Sequence, residues 1–336
     1  MANRELTEKI ASLLLSSGID PAGLSLMIVG GGGNNQVFSV DLNAGRYLAK
    51  AYFNHPADTR DRLGAEYAFL SHASAIGLKN VPTPIVCSAQ DHLGIYEFID
   101  GNKLTANELQ PTHVRSAAQF IAALNARGHA NNALSEKLPT ASEACFSVAQ
   151  HLEMVDRRLL RLQEITDDDD LSRKAKNLIG RIAGTWHGHR LRIAGATVPD
   201  LHDDDRCISP SDFGFHNALL KSDGQLCFID FEYAGWDDPA KMIGDFFCQP
   251  AVPVSQTYFD DFVTTAVSYS TRPEILRERA RLLLPAFQLK WCCIMLNEFL
   301  PAAAKRRQFA DPTLSLEQRQ RMQFDKTEHF FHSWLV

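Results

Sequence analysis

Between residues 25 and 53 the chain carries three short apolar-rich runs, SLMIVG, QVFSV and GRYLAKAYF, separated by the polar and glycine-rich breaks GGGNN and Asn43-Ala44-Gly45. Short runs of this kind broken by glycine and asparagine predict three strands of a small antiparallel sheet. Ahead of them, MANRELTEKIASLLLSSG spaces Leu and Ile at helical intervals and stops at Gly18, which predicts a helix. Behind them, a helix is expected from Asp58, its cap, to Ile76, and two more strands, PIVCSA and LGIYEFI, meet across Gln90-Asp91. One helix on a five-stranded sheet results. From about Gly101 the period lengthens to that of helices, expected at 111–127, 142–164, 170–193, 238–248, 256–270, 273–299 and 315–334. Pro111 opens the first of these and Gly128 follows its end. A single stretch, CISPSDFGFHNALLKSDGQLCFIDFE, interrupts the helices with short strands and a loop, and polar residues crowd there. The expectation is an α+β chain with a small antiparallel β-sheet lobe and one main helix at 1–98, and a larger, mostly helical lobe at 99–336.

Composition narrows the partners. With 34 basic against 40 acidic residues the net charge is -6, and no basic stripe offers itself to a phosphate backbone, which argues against nucleic acid. No apolar run approaches the roughly 20 residues that cross a bilayer, so neither a membrane span nor a signal peptide is expected. The seven cysteines are odd in number and form no CxxC pair, which reads as a reduced, cytoplasmic protein. The acidic run Asp167 to Asp170 reads as a solvated loop and helix cap.

Ser222-Asp223-Gly224-Gln225 predicts a two-residue type I′ hairpin, because Asp-Gly tolerates the positive φ that both central positions need. That turn would pair 222 with 225, 221 with 226, 219 with 228 and 217 with 230. Asn217 and Asp230 would then face each other with Cβ atoms roughly 4.5 to 5.5 Å apart, close enough for one divalent ion to touch both. Hard oxygen donors, few in number, suit Mg²⁺ better than zinc. An ordinary hairpin with a capping Asn and an exposed Asp is the other reading of these residues alone.

Asp212 precedes Asn217 by five positions, and Ile229-Asp230-Phe231 follows thirteen further on. This D-x-x-x-x-N…I-D-F set resembles the catalytic loop and metal-binding Asp of protein-kinase-like phosphotransferases. Ile229-Asp230-Phe231-Glu232-Tyr233-Ala234-Gly235, then Asp238-Pro239-Ala240 and Ile243-Gly244-Asp245-Phe246, bring the likeness closer to aminoglycoside phosphotransferases and choline kinases. The resemblance implies a bilobal protein-kinase-like fold, with nucleotide bound by the 1–98 lobe and the catalytic loop and substrate site in the 99–336 lobe. It makes Asp212 the base that takes the acceptor's proton, and Asn217 and Asp230 the Mg²⁺ ligands. The phosphate-covering loop would be Gly30 to Gly33 followed by Asn34 and Asn35, with Gly32, Gly33, Asn34 and Asn35 as its nucleotide-binding residues. Four glycines between strands would equally serve a flexible turn. Lys50 and Glu66 would form the kinase ion pair, and the Glu97 carbonyl and Ile99 amide would meet the adenine of ATP, or the base of GTP in its place. Two departures stand out: Pro210 where the family has histidine, and Met242 where it has aspartate.

The acceptor implied is a hydroxyl of a small molecule: an amino sugar, an aminoglycoside, a choline-like alcohol, or a sugar or polyol. Its contacts are expected near Glu232, Trp236, Asp237, Trp291, Asn297 and Glu298, since aromatic faces and carboxylates suit an ammonium group. Trp291 on its apolar helix serves equally as core. Two rival functions remain. A catalytically silent kinase-like protein would bind nucleotide or a partner chain without turnover, and a protein kinase would require an A-P-E-terminated activation segment that this sequence lacks. The oligomeric state is left open.

Overall fold

A computed structural model describes residues 2–29, 35–54, 60–129, 133–300 and 314–335. The chain divides into two compact units, Met1–Ser142 with Ile208–Trp236, and Glu143–Cys207 with Asp237–Val336. Among the described residues no helix is long and apolar enough to cross a membrane, and all seven cysteines are free thiols.

The first unit opens with helix α1 (Ala2–Ser16) and strands β1 (Ser25–Ile28), β2 (Asn35–Leu42) and β3 (Gly45–Tyr52). Helix α2 (Arg62–Ala75) and strands β4 (Pro84–Ser88) and β5 (Leu93–Glu97) follow. The five strands form one antiparallel sheet in the order β1-β2-β3-β5-β4. Ile10 and Leu14 of α1 pack with Phe38, Val40, Ala49 and Ile95 of the sheet, so the apolar stripe of the helix meets the apolar alternation of the strands. The cap of α2 is Asp61, whose carboxylate accepts the Gly64 N–H at 2.8 Å. Asp58, the cap expected from sequence, lies outside the described residues.

Beyond the sheet, β6 (Asn102–Lys103) pairs with β8 (Ala218–Leu220), and β8 with β9 (Leu226–Phe228). Helix α3 (Pro111–Leu124) supports this small sheet through Phe120, which stacks on Phe228 with ring centroids 4.7 Å apart and meets Phe213 at 5.9 Å. Asn125, at the end of α3, accepts the Ile208 N–H at 2.7 Å and donates to the Ile208 carbonyl at 3.0 Å, tying down strand β7 (Cys207–Ser209). A buried amide that satisfies both main-chain groups of one residue replaces a strand neighbour.

In the second unit, α8 (Pro273–Leu296) packs against α4 (Val148–Leu162), α5 (Asp170–Ala194), α6 (Pro239–Cys248), α7 (Phe259–Ala266) and the helix Leu316–Leu335. Helix α4 begins at 148 rather than 142. Glu143 sits at φ +57, outside the right-handed helical range, and Ser147 caps the helix by accepting the Gln150 N–H at 3.2 Å. Helix α7 begins three residues later than expected because Gln256–Tyr258 forms a 3₁₀ turn.

Between α6 and α8 lie ion pairs that are almost wholly buried. Arg279 donates to Asp238 at 2.7 Å, His151 Nε2 lies 3.0 Å from the same carboxylate, and Lys290 donates to Asp245 at 2.8 Å. The two helices approach at Gly244, where an added Cβ would lie 2.2 Å from the Phe287 ring and 2.9 Å from its Cβ. The Phe287 Cβ has no rotamer by which to move away, so Gly244→Ala should lower stability by about 1–3 kcal/mol through overpacking. Urea unfolding measures this, and a midpoint unchanged from the unsubstituted protein would show that α6 and α8 have slack.

Candidate active site

The polar segment of the first unit begins with a strained turn. Ser211 sits at φ +66, and the Asp212 N–H turns back to the Pro210 carbonyl at 3.0 Å. A non-glycine residue in this region persists only where its surroundings hold it. Here Ser209 Oγ accepts the Ser211 N–H at 2.9 Å, and the Ser211 hydroxyl donates to the Ser142 carbonyl at 3.3 Å. Two serines thus brace the loop around Pro210, which has no N–H of its own to offer. Met242, at the second departure, is fully buried in α6 of the other unit.

Asp212 follows, and its neighbour Phe213 is anchored against Phe120 and Phe228. Its carboxylate stays accessible, the side chain 39% exposed. Asn217 Nδ2 donates to the Asp212 carbonyl at 3.0 Å and to its carboxylate at 3.4 Å, and His216 Nε2 lies 3.2 Å from the other carboxylate oxygen. These bonds span the five-residue spacing read in the sequence and fix Asp212 and Asn217 as one constellation.

The hairpin beyond differs from the expected register by one residue. Ala218 pairs with Phe228, Leu219 with Cys227 and Leu220 with Leu226. The loop has three residues, closed by Gly224 N–H to the Lys221 carbonyl and Lys221 N–H to the Gln225 carbonyl, each at 2.9 Å. Gly224 takes φ +80, whereas Asp223 is not among the positive-φ residues, so the chain makes a turn followed by a glycine bulge instead of a type I′ turn. Asn217 therefore stands opposite Ile229, whose N–H donates to its carbonyl at 2.9 Å. Asp230 reaches the site by another route. It leaves the strand at φ +70, between Phe228, held in the aromatic cluster, and Phe231, stacked on Phe69 of α2 at 4.3 Å.

That turn delivers the Asp230 carboxylate to Lys50. The Lys50 ammonium lies 3.0 Å from Asp230 Oδ1 and 2.7 and 3.0 Å from the two oxygens of Glu66, so the lysine of β3 and the glutamate of α2 do meet. Glu66 also accepts the Tyr52 hydroxyl at 2.6 Å and the Phe231 N–H at 3.3 Å. Burial works against the Lys50 ammonium, but the two carboxylates outweigh it and hold its pKa above the ordinary lysine value. Burial pushes the Glu66 carboxyl up, against the pull of Lys50. Asp230 keeps its side chain 36% exposed, so one of its oxygens remains open to a ligand.

A cavity of about 640 Å³ lies in the same unit, lined by Lys50, Glu66, Asp230, Asn217, Asn35 and the segment Glu97–Ile99, among others. Asn35 donates to Glu232 at 2.6 Å. Gly32, Gly33 and Asn34 lie outside the described residues. The Glu97 carboxylate is held by the Thr83 N–H and hydroxyl at 3.0 and 2.8 Å.

The residues expected to contact a substrate are already engaged. Glu232 is buried beside Arg62. In the second unit, Asp237 is wholly buried and accepts from Lys241 at 2.7 Å, and Trp291 donates to Asp245 at 2.9 Å. Glu298 does not continue the Trp291 helix face: α8 ends at Leu296, and Glu298 sits buried in a 3₁₀ turn with Arg319 at 2.9 Å. A ligand reaching either carboxylate would have to exchange that basic partner. Sequence reasoning missed Tyr52, Arg62, Ser209 and Lys103. For Lys103, a lone charge just past Gly101, the position was visible but its neighbours were not.

A family model described as the phosphotransferase enzyme family matches residues 25–246, which include every group of the cavity described above, and the chain belongs to that family. Among solved structures, a choline/ethanolamine kinase family protein from Mesorhizobium loti is similar at 17% identity, with TM-score 0.61 over 98% of this chain and 95% of that one. A spectinomycin phosphotransferase, solved in complex with ADP and spectinomycin, gives 14% identity and TM-score 0.61 over 98% of each chain. A choline kinase from Streptococcus pneumoniae gives 12% identity and TM-score 0.57, covering 98% of this chain and 100% of that one. These likenesses establish the protein-kinase-like fold. No curated protein sequence matches the chain.

Lys50→Met should lower stability at pH 7 by about 3–5 kcal/mol, because it strands the buried Glu66 carboxylate without its cation. The deficit should shrink as the pH falls, because burial already raises the Glu66 carboxyl and a protonated Glu66 no longer needs a partner. In the unsubstituted protein the raised Lys50 pKa keeps the lysine's contribution whole below the ordinary value of 10.5 and removes it as the pH climbs through the raised one. Urea unfolding of both proteins at pH 5 and 7.5 reads the difference. A deficit independent of pH would mean that Glu66 stays charged without Lys50.

Proposed function

We propose that the chain transfers the γ-phosphate of ATP, or of GTP in its place, to a hydroxyl group of a small molecule. Asp212 takes the acceptor's proton, Asn217 and Asp230 hold Mg²⁺, and Lys50, oriented by Glu66, meets the nucleotide phosphates. The observation that carries this reading is the Lys50 ammonium, bridging Glu66 and Asp230 at hydrogen-bond distance in a cavity that Asn217 also lines. Phosphoryl transfer asks a protein chiefly for positioning and charge, and this set supplies both.

The donor atoms suit magnesium. Asn217 commits its amide nitrogen to Asp212, which leaves its amide oxygen to a cation, and Asp230 commits one oxygen to Lys50. Two hard oxygens completed by water and phosphate make a Mg²⁺ site. Among the described residues no group of three His, Cys, Asp or Glu side chains could hold a metal, so the donors of a zinc site are not assembled. When bound, the ion would offset charge on the phosphates. The accessibility of Asp212 and its contacts with Asn217 and His216 support the reading that it accepts a proton from an alcohol.

The acceptor we propose is an amino sugar, an aminoglycoside, a choline-like alcohol, or a sugar or polyol. Support comes from the family and from structural neighbours that include a choline/ethanolamine kinase family protein and a phosphotransferase solved with spectinomycin. Screening these acceptors with ATP and GTP for ADP or GDP release tests the reading; release from none of them would favour a nucleotide-binding protein without turnover. On the acceptor found, Asp212→Asn should lower kcat by about 10²- to 10⁴-fold while nucleotide affinity changes little. Near-normal turnover would remove Asp212 from the role of base. Asp230→Ala should abolish the magnesium dependence of nucleotide binding, read by titrating Mg²⁺ against nucleotide affinity.

A further inference from the structure

Two lysines, Lys50 and Lys103, and the acidic residues Glu66 and Asp230 are among those lining the cavity; the Glu97 carboxylate is turned to Thr83. Lys50 is shared between Glu66 and Asp230, so its charge is already partly offset before a nucleotide arrives. Lys103 differs. Its ammonium donates to the main-chain carbonyl of His216 at 2.7 Å, and among the described residues no carboxylate lies within ion-pair distance of it. The residue as a whole is exposed, yet protein surrounds the ammonium closely enough for burial to push its pKa below the ordinary lysine value. Asp230 pulls the other way and Lys50 adds to the depression, which places Lys103 in the electrostatic reach of both.

A cation held by a neutral carbonyl, with no carboxylate at ion-pair distance, gains when something anionic joins it. Its position says where that anion would sit. His216 immediately precedes Asn217, so the hydrogen bond to the His216 carbonyl brings the Lys103 ammonium beside the proposed metal donors. Strand pairing fixes this placement, since Lys103 of β6 stands opposite Leu219 of β8, two residues past Asn217. A polyphosphate entering the cavity meets a lysine already shared by two carboxylates, and a further positive charge favours it.

We propose that Lys103 contacts the phosphate groups of the bound nucleotide, as a second cation delivered from β6 to the side of the catalytic loop. The inference rests on the nucleotide reading of the cavity and goes beyond the roles of Lys50 and the metal. A lysine serves here as a point charge on a flexible stem, suited to several phosphate oxygens in turn.

Binding of adenosine, AMP, ADP and ATP in the presence of Mg²⁺, measured by calorimetry, tests it. Lys103→Met removes the charge and the tether to His216; Lys103→Gln removes the charge but keeps an N–H donor; Lys103→Arg keeps the charge. Met and Gln variants should bind ADP and ATP about ten- to hundredfold more weakly, with adenosine unchanged and the loss growing with the number of phosphates. Arg should restore most of the affinity. Equal weakening of adenosine and ATP by the Met variant, with recovery in the Gln variant, would make Lys103 a structural tether and overturn the proposal. Unchanged ATP affinity in folded Met and Gln variants would overturn it as well. If the unsubstituted protein binds neither adenosine nor ATP, the nucleotide reading itself fails, and the inference falls with it.

Discussion

One lysine shared by two carboxylates sets the terms for the whole first unit. Burying a charge costs several kcal/mol, and the attraction offsets this only when geometry and further hydrogen bonds are good. Glu66 meets that requirement with donors from Lys50, Tyr52 and the main chain of Phe231. The sheet, α2 and the segment after β9 each supply one member, so none can move alone without exposing a bare charge. Two carboxylates against one ammonium leave a net negative charge on the group. That surplus falls on Asp230, the one member open to solvent, where a divalent cation would be favoured.

Much of this was legible in the sequence, because its strongest signals were local. Short strand-like runs between turn residues predicted the five strands, and the Asp212-Asn217 spacing predicted a constellation that the structure closes with direct hydrogen bonds. The hairpin shows where local reading falls short. Asp-Gly is compatible with either a two-residue turn or a three-residue loop with a bulge, and the difference shifts every cross-strand pair by one. Asn217 and Asp230 are brought into one site by a left-handed residue and two anchored phenylalanines rather than by ladder pairing. A positive φ at an aspartate leaves no mark in the composition around it.

Partners distant in sequence were the least legible. Asp237 and Glu298 read as polar groups near an apolar helix, which suits a binding pocket as well as it suits a buried ion pair. Their partners, Lys241 and Arg319, belong to patterns that look like ordinary amphipathic helices until folding brings them together. Likewise, Ser209 and Ser211 around Pro210 read as unremarkable loop residues. Their bracing role depends on the Ser142 carbonyl, which lies in a distant part of the chain.

The first unit is built from two stretches of chain, Met1–Ser142 and Ile208–Trp236, with residues of the other unit between them. During synthesis from the N-terminus, Lys50 and Glu66 leave the ribosome only 16 residues apart, whereas Asp230 follows Lys50 by 180. The sheet and α2 therefore emerge long before Asn217 and Asp230, and for that interval the nascent chain carries the lysine-glutamate pair without either of the proposed metal donors. The cavity that reads as a nucleotide site is completed late in translation, after Glu143–Cys207 has already been made.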